Sequence, residues 1–193
     1  MQKIEWKRNL FREDEGFWKP ILRQLFYIAA GAGLCFSLSW LSFIFFEPGI
    51  QDVILRPAAV IPALFGVLYG PWVGLFAGVF GKALSDVIGG WGFYWYGSVA
   101  YGLIGFIPGL LIRLLKDWST TRSPAKAVFA GVLGVFVGAF FLYLTEAYVS
   151  EVSLRDAISG YFLPEFIGNV IVVLLLLPLL LLGFVAIQRK GTL

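Results

Sequence analysis

Lys82 and Asp86 lie four residues apart in a stretch that is otherwise small or apolar, GPWVGLFAGVFGKALSDVI. At this spacing the two side chains share one face of a helix. An ammonium and a carboxylate there can act in two ways. They can neutralise one another as a structural pair, or they can contact a ligand, with the ammonium suited to a carboxylate or phosphate. Ionisable residues inside a membrane are costly and commonly mark function. Gly70, Gly74 and Gly78 continue the same four-residue stripe. Small residues at that spacing let helices approach closely, so the pair is expected to face other helices rather than lipid.

Few other polar residues accompany them. Asn169 lies in an apolar run and is a candidate hydrogen-bonding contact, with Arg56 and Glu146 as weaker candidates at a pocket rim. Trp91, Tyr94 and Trp95 belong to the densest aromatic segment of the chain, WGFYWY. Flat rings with polar edges can wall a small aromatic ligand. The same residues equally suit an aromatic belt at the membrane surface. The chain has no histidine, which removes most zinc, haem and histidine-dependent catalytic schemes. The one cysteine, Cys35, sits in an apolar run and allows no disulfide within the chain. No catalytic residue, metal site or cofactor is expected.

The elements that must hold these residues are membrane helices. Of 193 residues, 59% are hydrophobic and 14% charged, where a soluble domain carries roughly 25% charged residues. A spanning helix needs about 20 mostly apolar residues. The pattern predicts an all-α membrane protein with six transmembrane helices, at 24–46, 57–68, 71–88, 95–112, 126–146 and 164–188. The second is short and contains Pro62, so it is expected to be tilted or irregular and enclosed by protein. Residues 1–23 read as a cytoplasmic segment, either an amphipathic helix on the membrane surface or a solvated leader, and 189–193 as a cytoplasmic tail. The N-terminus does not read as a cleaved signal peptide.

Charge gives the orientation. Twelve of the fifteen Lys and Arg residues precede the first helix, lie between the fourth and fifth, or follow the sixth. By the positive-inside rule both termini are cytoplasmic. The third helix then rises outward from Pro71, and Lys82 lies roughly 16 Å in, just past the midplane. Asp86, Arg56 and Glu146 fall toward the outer boundary, and Asn169 about one to two turns inside it. The polar residues gather in the outer half, and the inner half is nearly pure hydrocarbon. A channel or an independent carrier needs polar groups through both halves. This layout instead suits a capture protein whose ligand is moved inward with the help of partners.

The stretch RPAAVIPALFGVLYGPWVGLFAGVFGKALSDVIGG, followed by WGFYWYGSVAYGLIGFIPGLL, and later EFIGNVIVVLLLLPLL, resembles the substrate-binding S components of energy-coupling factor (ECF) transporters. The nearest subgroup is the riboflavin-transporter-like one. The resemblance covers about 56–182 and rests on the Gly-Pro turn at 70–71, the glycine ladder ending in Asp86, the Trp-rich loop, the Gly-rich fourth helix, and Asn169 with Pro178. The subgroup tends to carry Gly-His-Ala-Leu-Lys-Asp where this chain has GKALSD, so Lys82 replaces the His and Ser85 the Lys.

The resemblance implies a six-helix S-component bundle in the plasma membrane. It implies a vitamin-like ligand, riboflavin or another flat heterocycle, held near the outer face. It also implies partnership with a membrane T component and two cytosolic ATPases. Small residues on the first helix contact the T component in that family, a role that Ala29 and Gly33 match here; ordinary internal packing is the alternative. The chain has no phosphate-binding loop, so any ATP-driven step belongs to another chain. No nucleic-acid partner is implied. Rival readings are a structural membrane protein of the rod-shape-determining type, an independent secondary carrier and a membrane enzyme.

Overall fold

The computed structural model describes residues 18–45, 55–90, 92–114, 123–149, 151 and 153–190. Most of the expected N-terminal segment, most of the loop at 47–56, residues 191–193 and Trp91 lie outside the described residues.

The described residues form α1 (Trp18–Phe45), a 3-10 turn (Pro57–Ala59), α2 (Val60–Tyr69), α3 (Pro71–Ile88), α4 (Trp95–Leu114), α5 (Ser123–Val149), the short α6 (Leu154–Ala157), a π turn (Ile158–Phe162) and α7 (Leu163–Lys190). No strand occurs among them. Five of these helices are long and apolar enough to cross a membrane, while Pro57–Tyr69 is a shorter apolar helix. The chain is an all-α membrane protein.

The helix bounds differ from the expected ones most at α1 and α5. α1 begins at Trp18 rather than residue 24. Its first turn holds Pro20, a position where the missing N–H costs nothing. α5 extends to Ser123 and Val149 beyond the expected 126–146. The final helix is preceded by α6 and the π turn, where the sequence reads as a loop. Ser153 starts α6 as a cap: its Oγ accepts from the Asp156 N–H at 3.2 Å and donates to the Asp156 carboxylate at 2.6 Å.

The second expected span proves too short to cross alone. With its leading turn, α2 rises about 20 Å, against a hydrocarbon core of about 30 Å. Ala58 to Ala63, Phe65, Gly66 and Val67 are all buried, so protein rather than lipid surrounds this piece. Gly70 is the turn and not a rung of the glycine ladder. Its φ is 108°, a conformation that glycine adopts without strain. Pro71 then opens α3.

The bundle is held by close backbone approach. A Cβ added to Gly105 of α4 would lie 2.3 Å from the carbonyl oxygen of Gly74 on α3. One added to Gly78 would lie 2.3 Å from the Tyr101 carbonyl oxygen. Hydrophobic burial gives no net force between helices in lipid, so such dispersion contacts carry the association. α3 also packs on α1, α4 on α5 and α2, and α7 on α5 and α2. The outer surface is apolar, with Phe26, Phe129, Leu175 and Leu179 exposed as lipid-facing side chains require.

α3 and α7 share one design. On α7, Glu165, Asn169, Val173, Leu177 and Leu181 form a four-residue stripe, of which the last four are buried. On α3, Gly74 and Gly78 lead to Lys82 and Asp86. Each inward face is polar toward one end and small or apolar along the rest.

Candidate ligand-binding site

The polar ends of these stripes each carry an ion pair. Lys82 donates to Asp86 as an ion pair within α3, both side chains largely buried. Arg56 Nη1 pairs with Glu165 Oε1 at 3.3 Å, joining the start of the 3-10 turn to the first turn of α7. Tyr101, buried on α4, lies between them. The Lys82 Nζ stands 5.7 Å from its ring centroid, and its hydroxyl and Asp86 complete the surroundings of Arg56.

The shortness of α2 explains why Arg56 belongs here. Counted upward from Gly70, Arg56 reaches about 20 Å, level with Asp86 at about 22 Å. Arg56, expected at the rim, keeps 35% of its side chain exposed while it pairs with Glu165. Asn169 lies one turn along α7 from Glu165 and is 1% exposed.

Three buried polar atoms in the described residues have no hydrogen-bond partner: Ser85 Oγ, Asp86 Oδ2 and Asn169 Oδ1. Leaving such an atom unsatisfied costs about 1–3 kcal/mol, and native structures hold few of them. All three belong to the polar ends of α3 and α7. Each of the three is a buried oxygen able to accept a hydrogen bond.

Tyr94 and Glu146 form a second group, where the chain enters α4 and leaves α5. The Tyr94 hydroxyl donates to the Glu146 carboxylate. The Tyr94 and Tyr96 rings lie 3.9 Å apart between centroids. Burial, and then the bond to Glu146, hold the Tyr94 hydroxyl well above the usual phenol range. Since the folded value lies above the unfolded one, the stabilisation is complete below about pH 10 and fades as pH rises further. Replacing Tyr94 by Phe is expected to lower stability by about 1–2 kcal/mol, read as a lower unfolding midpoint of the detergent-purified protein. An unchanged midpoint would show the bond to be dispensable.

The other aromatic candidates divide. The Trp95 indole is 49% exposed and Phe93 68%, as interfacial aromatics are. Trp91 lies outside the described residues. Ala29 and Gly33 are exposed on α1. A Cβ on Gly33 would meet nothing within 4 Å, so this glycine is not explained by packing within the chain. An open apolar groove of about 360 Å³ between α1 and α3, lined by Ala32, Phe80, Ala83, Leu84 and Val87, contains none of the polar residues.

Glu165 is expected from sequence at the outer boundary and Ser85 beside Asp86, neither of them named as a ligand contact, and Tyr101 is not singled out at all. Glu165 had a signal, its four-residue spacing from Asn169. Tyr101 had none beyond being the polar residue opposite the glycine ladder.

A lipid-facing helical bundle with a polar cluster among its buried residues defines a multi-pass membrane protein. The family model for the ECF-type riboflavin transporter S component matches residues 21–186, and the chain belongs to that family. The match takes in α1, which the resemblance by motif does not reach. Members of this family are substrate-binding components of membrane transporters, not enzymes. The chain is also 33% identical over 136 residues to a UPF0397 protein of Aliivibrio salmonicida (strain LFI1238), covering 70% of this chain and 73% of that one. A UPF0397 protein of Aliivibrio fischeri (strain MJ11) is 31% identical over 137 residues, covering 70% and 74%. No solved structure matches the chain.

Proposed function

We propose that this chain is the capture subunit of an ECF-type importer. It takes a vitamin-like flat heterocycle, with riboflavin the first candidate, from the outer side of the plasma membrane. A T component and two ATPases drive its passage inward. The carrying observation is the set of unpartnered buried polar atoms on Ser85, Asp86 and Asn169 beside the Lys82–Asp86 and Arg56–Glu165 pairs.

The basic residues flanking the first and last helices support cytoplasmic termini. In that orientation the polar ends of α3 and α7 face outward. An apolar inner half offers no path for a polar solute, which favours partner-driven reorientation over an independent carrier. Ala29 and Gly33 are the surface proposed for the T component, since exposed small residues admit a second helix closely. Tyr94 and Glu146 would border the mouth.

The test is mass spectrometry of small molecules released from the detergent-purified protein, beside a Lys82→Ala/Asp86→Ala variant. A stoichiometric ligand in the wild type and its absence from the variant are expected. An empty wild type that also shows no thermal shift with a vitamin panel would point to a structural role.

A further inference from the structure

We infer that this site selects an uncharged ligand that brings its own hydrogen-bond donors, an inference that rests on the capture reading. The cluster holds two cations, Arg56 and Lys82, and two anions, Asp86 and Glu165, already paired two by two. The buried Tyr101 lies against the Lys82–Asp86 pair, its ring centroid 5.7 Å from the Lys82 Nζ.

An anionic ligand would have to take Lys82 or Arg56 from its partner. Taking Lys82 would strand the Asp86 carboxylate, whose side chain is 4% exposed. Removing one partner of a buried pair is the costly way to break it. A cationic ligand would strand an ammonium or guanidinium by the same exchange. A neutral ligand leaves both pairs intact.

What the site offers is mostly acceptors. Asp86 Oδ2 and Asn169 Oδ1 both need a donor, and Ser85 Oγ can serve in either sense. A phosphate or carboxylate presents only acceptors and would set oxygen against oxygen at two of the three atoms. An N–H-bearing edge of a heterocycle, or a hydroxyl, satisfies them. Lys82, which taken alone suits an anion, is therefore committed to Asp86, and the phosphate or carboxylate alternative falls away.

Calorimetric titration of the full-length protein in detergent, washed free of co-purified ligand, tests this, with three pairs of probes: riboflavin and flavin mononucleotide, nicotinamide and nicotinate, pyridoxine and pyridoxine 5′-phosphate. The expected result is that the tightest binder is an uncharged member and that its charged counterpart binds at least tenfold more weakly. A charged member that binds as tightly as its neutral counterpart, or more tightly, would overturn the inference while leaving the capture reading intact. Binding of no member by protein that also releases no ligand on purification would sink the capture reading and this inference with it, and a released ligand that is charged at neutral pH would overturn the inference alone.

Discussion

Replacing Lys82 alone by alanine is expected to destabilise the protein more than replacing Lys82 and Asp86 together. The single change leaves a carboxylate with 4% side-chain exposure and no cation directly on it. Breaking a buried pair from one side costs about 3–5 kcal/mol, whereas replacing both partners by apolar groups is often neutral. Arg56 lies in the same cluster and compensates Asp86 in part, which puts the expected loss at the lower end of that range. Lys82→Met/Asp86→Leu, which fills the space with hydrocarbon, should recover most of it.

Ligand retention separates the two roles open to this pair. Unfolding midpoints in detergent report its structural role, and bound small molecule its role in capture. A double variant that is stable but empty assigns the pair to the ligand. A stable double variant that still carries ligand at full stoichiometry makes Lys82–Asp86 purely structural. A double variant no more stable than the single would show that the two charges are not coupled.

The chain's membrane helices are legible because their signals are local. Gly70-Pro71 marks the start of α3, and an uncharged run of small and apolar residues carries it to Ile88. The i,i+4 spacing of Lys82 and Asp86 is likewise visible in one stretch. Their neighbours are not. Arg56 meets Glu165 across 109 positions of sequence, and an acidic residue in the first turn of a helix is ordinary by itself. The depth of Arg56, by contrast, follows from the short helix that the sequence already marks at 57–68. α1 reaches back to Trp18 because Lys19 and Arg23 end the apolar window without ending the helix. Trp95 and Tyr96 are adjacent in an aromatic run, yet one is half exposed and the other buried. Only the packing of α4 separates them.

Gly105→Val and Gly33→Val are expected to fail in opposite ways, although both put a β-branched side chain on a membrane-helix glycine. At Gly105 the new Cβ would lie 2.3 Å from a carbonyl oxygen of Gly74 and 2.8 Å from its Cα, atoms of a helix backbone that cannot rotate away. α3 and α4 must then separate. Overpacking a well-filled core costs about 1–3 kcal/mol when side chains can adjust, and more where only backbone is available to move. The separation would also carry Lys82 away from the Tyr101 ring, now 5.7 Å from its Nζ. Gly105→Val should therefore lose the monodisperse peak in size-exclusion chromatography, and any remaining protein should be empty of ligand. At Gly33 nothing lies within 4 Å of the added atom. That variant should match the wild type in yield, midpoint and ligand content. Its defect should appear only on co-expression with the T component and ATPases, as loss of their co-purification, because a branched side chain holds a docking helix off the surface. Full co-purification with Gly33→Val would remove α1 as the docking face. A folded, ligand-loaded Gly105→Val protein would show that the α3–α4 contact does not set the geometry of the site.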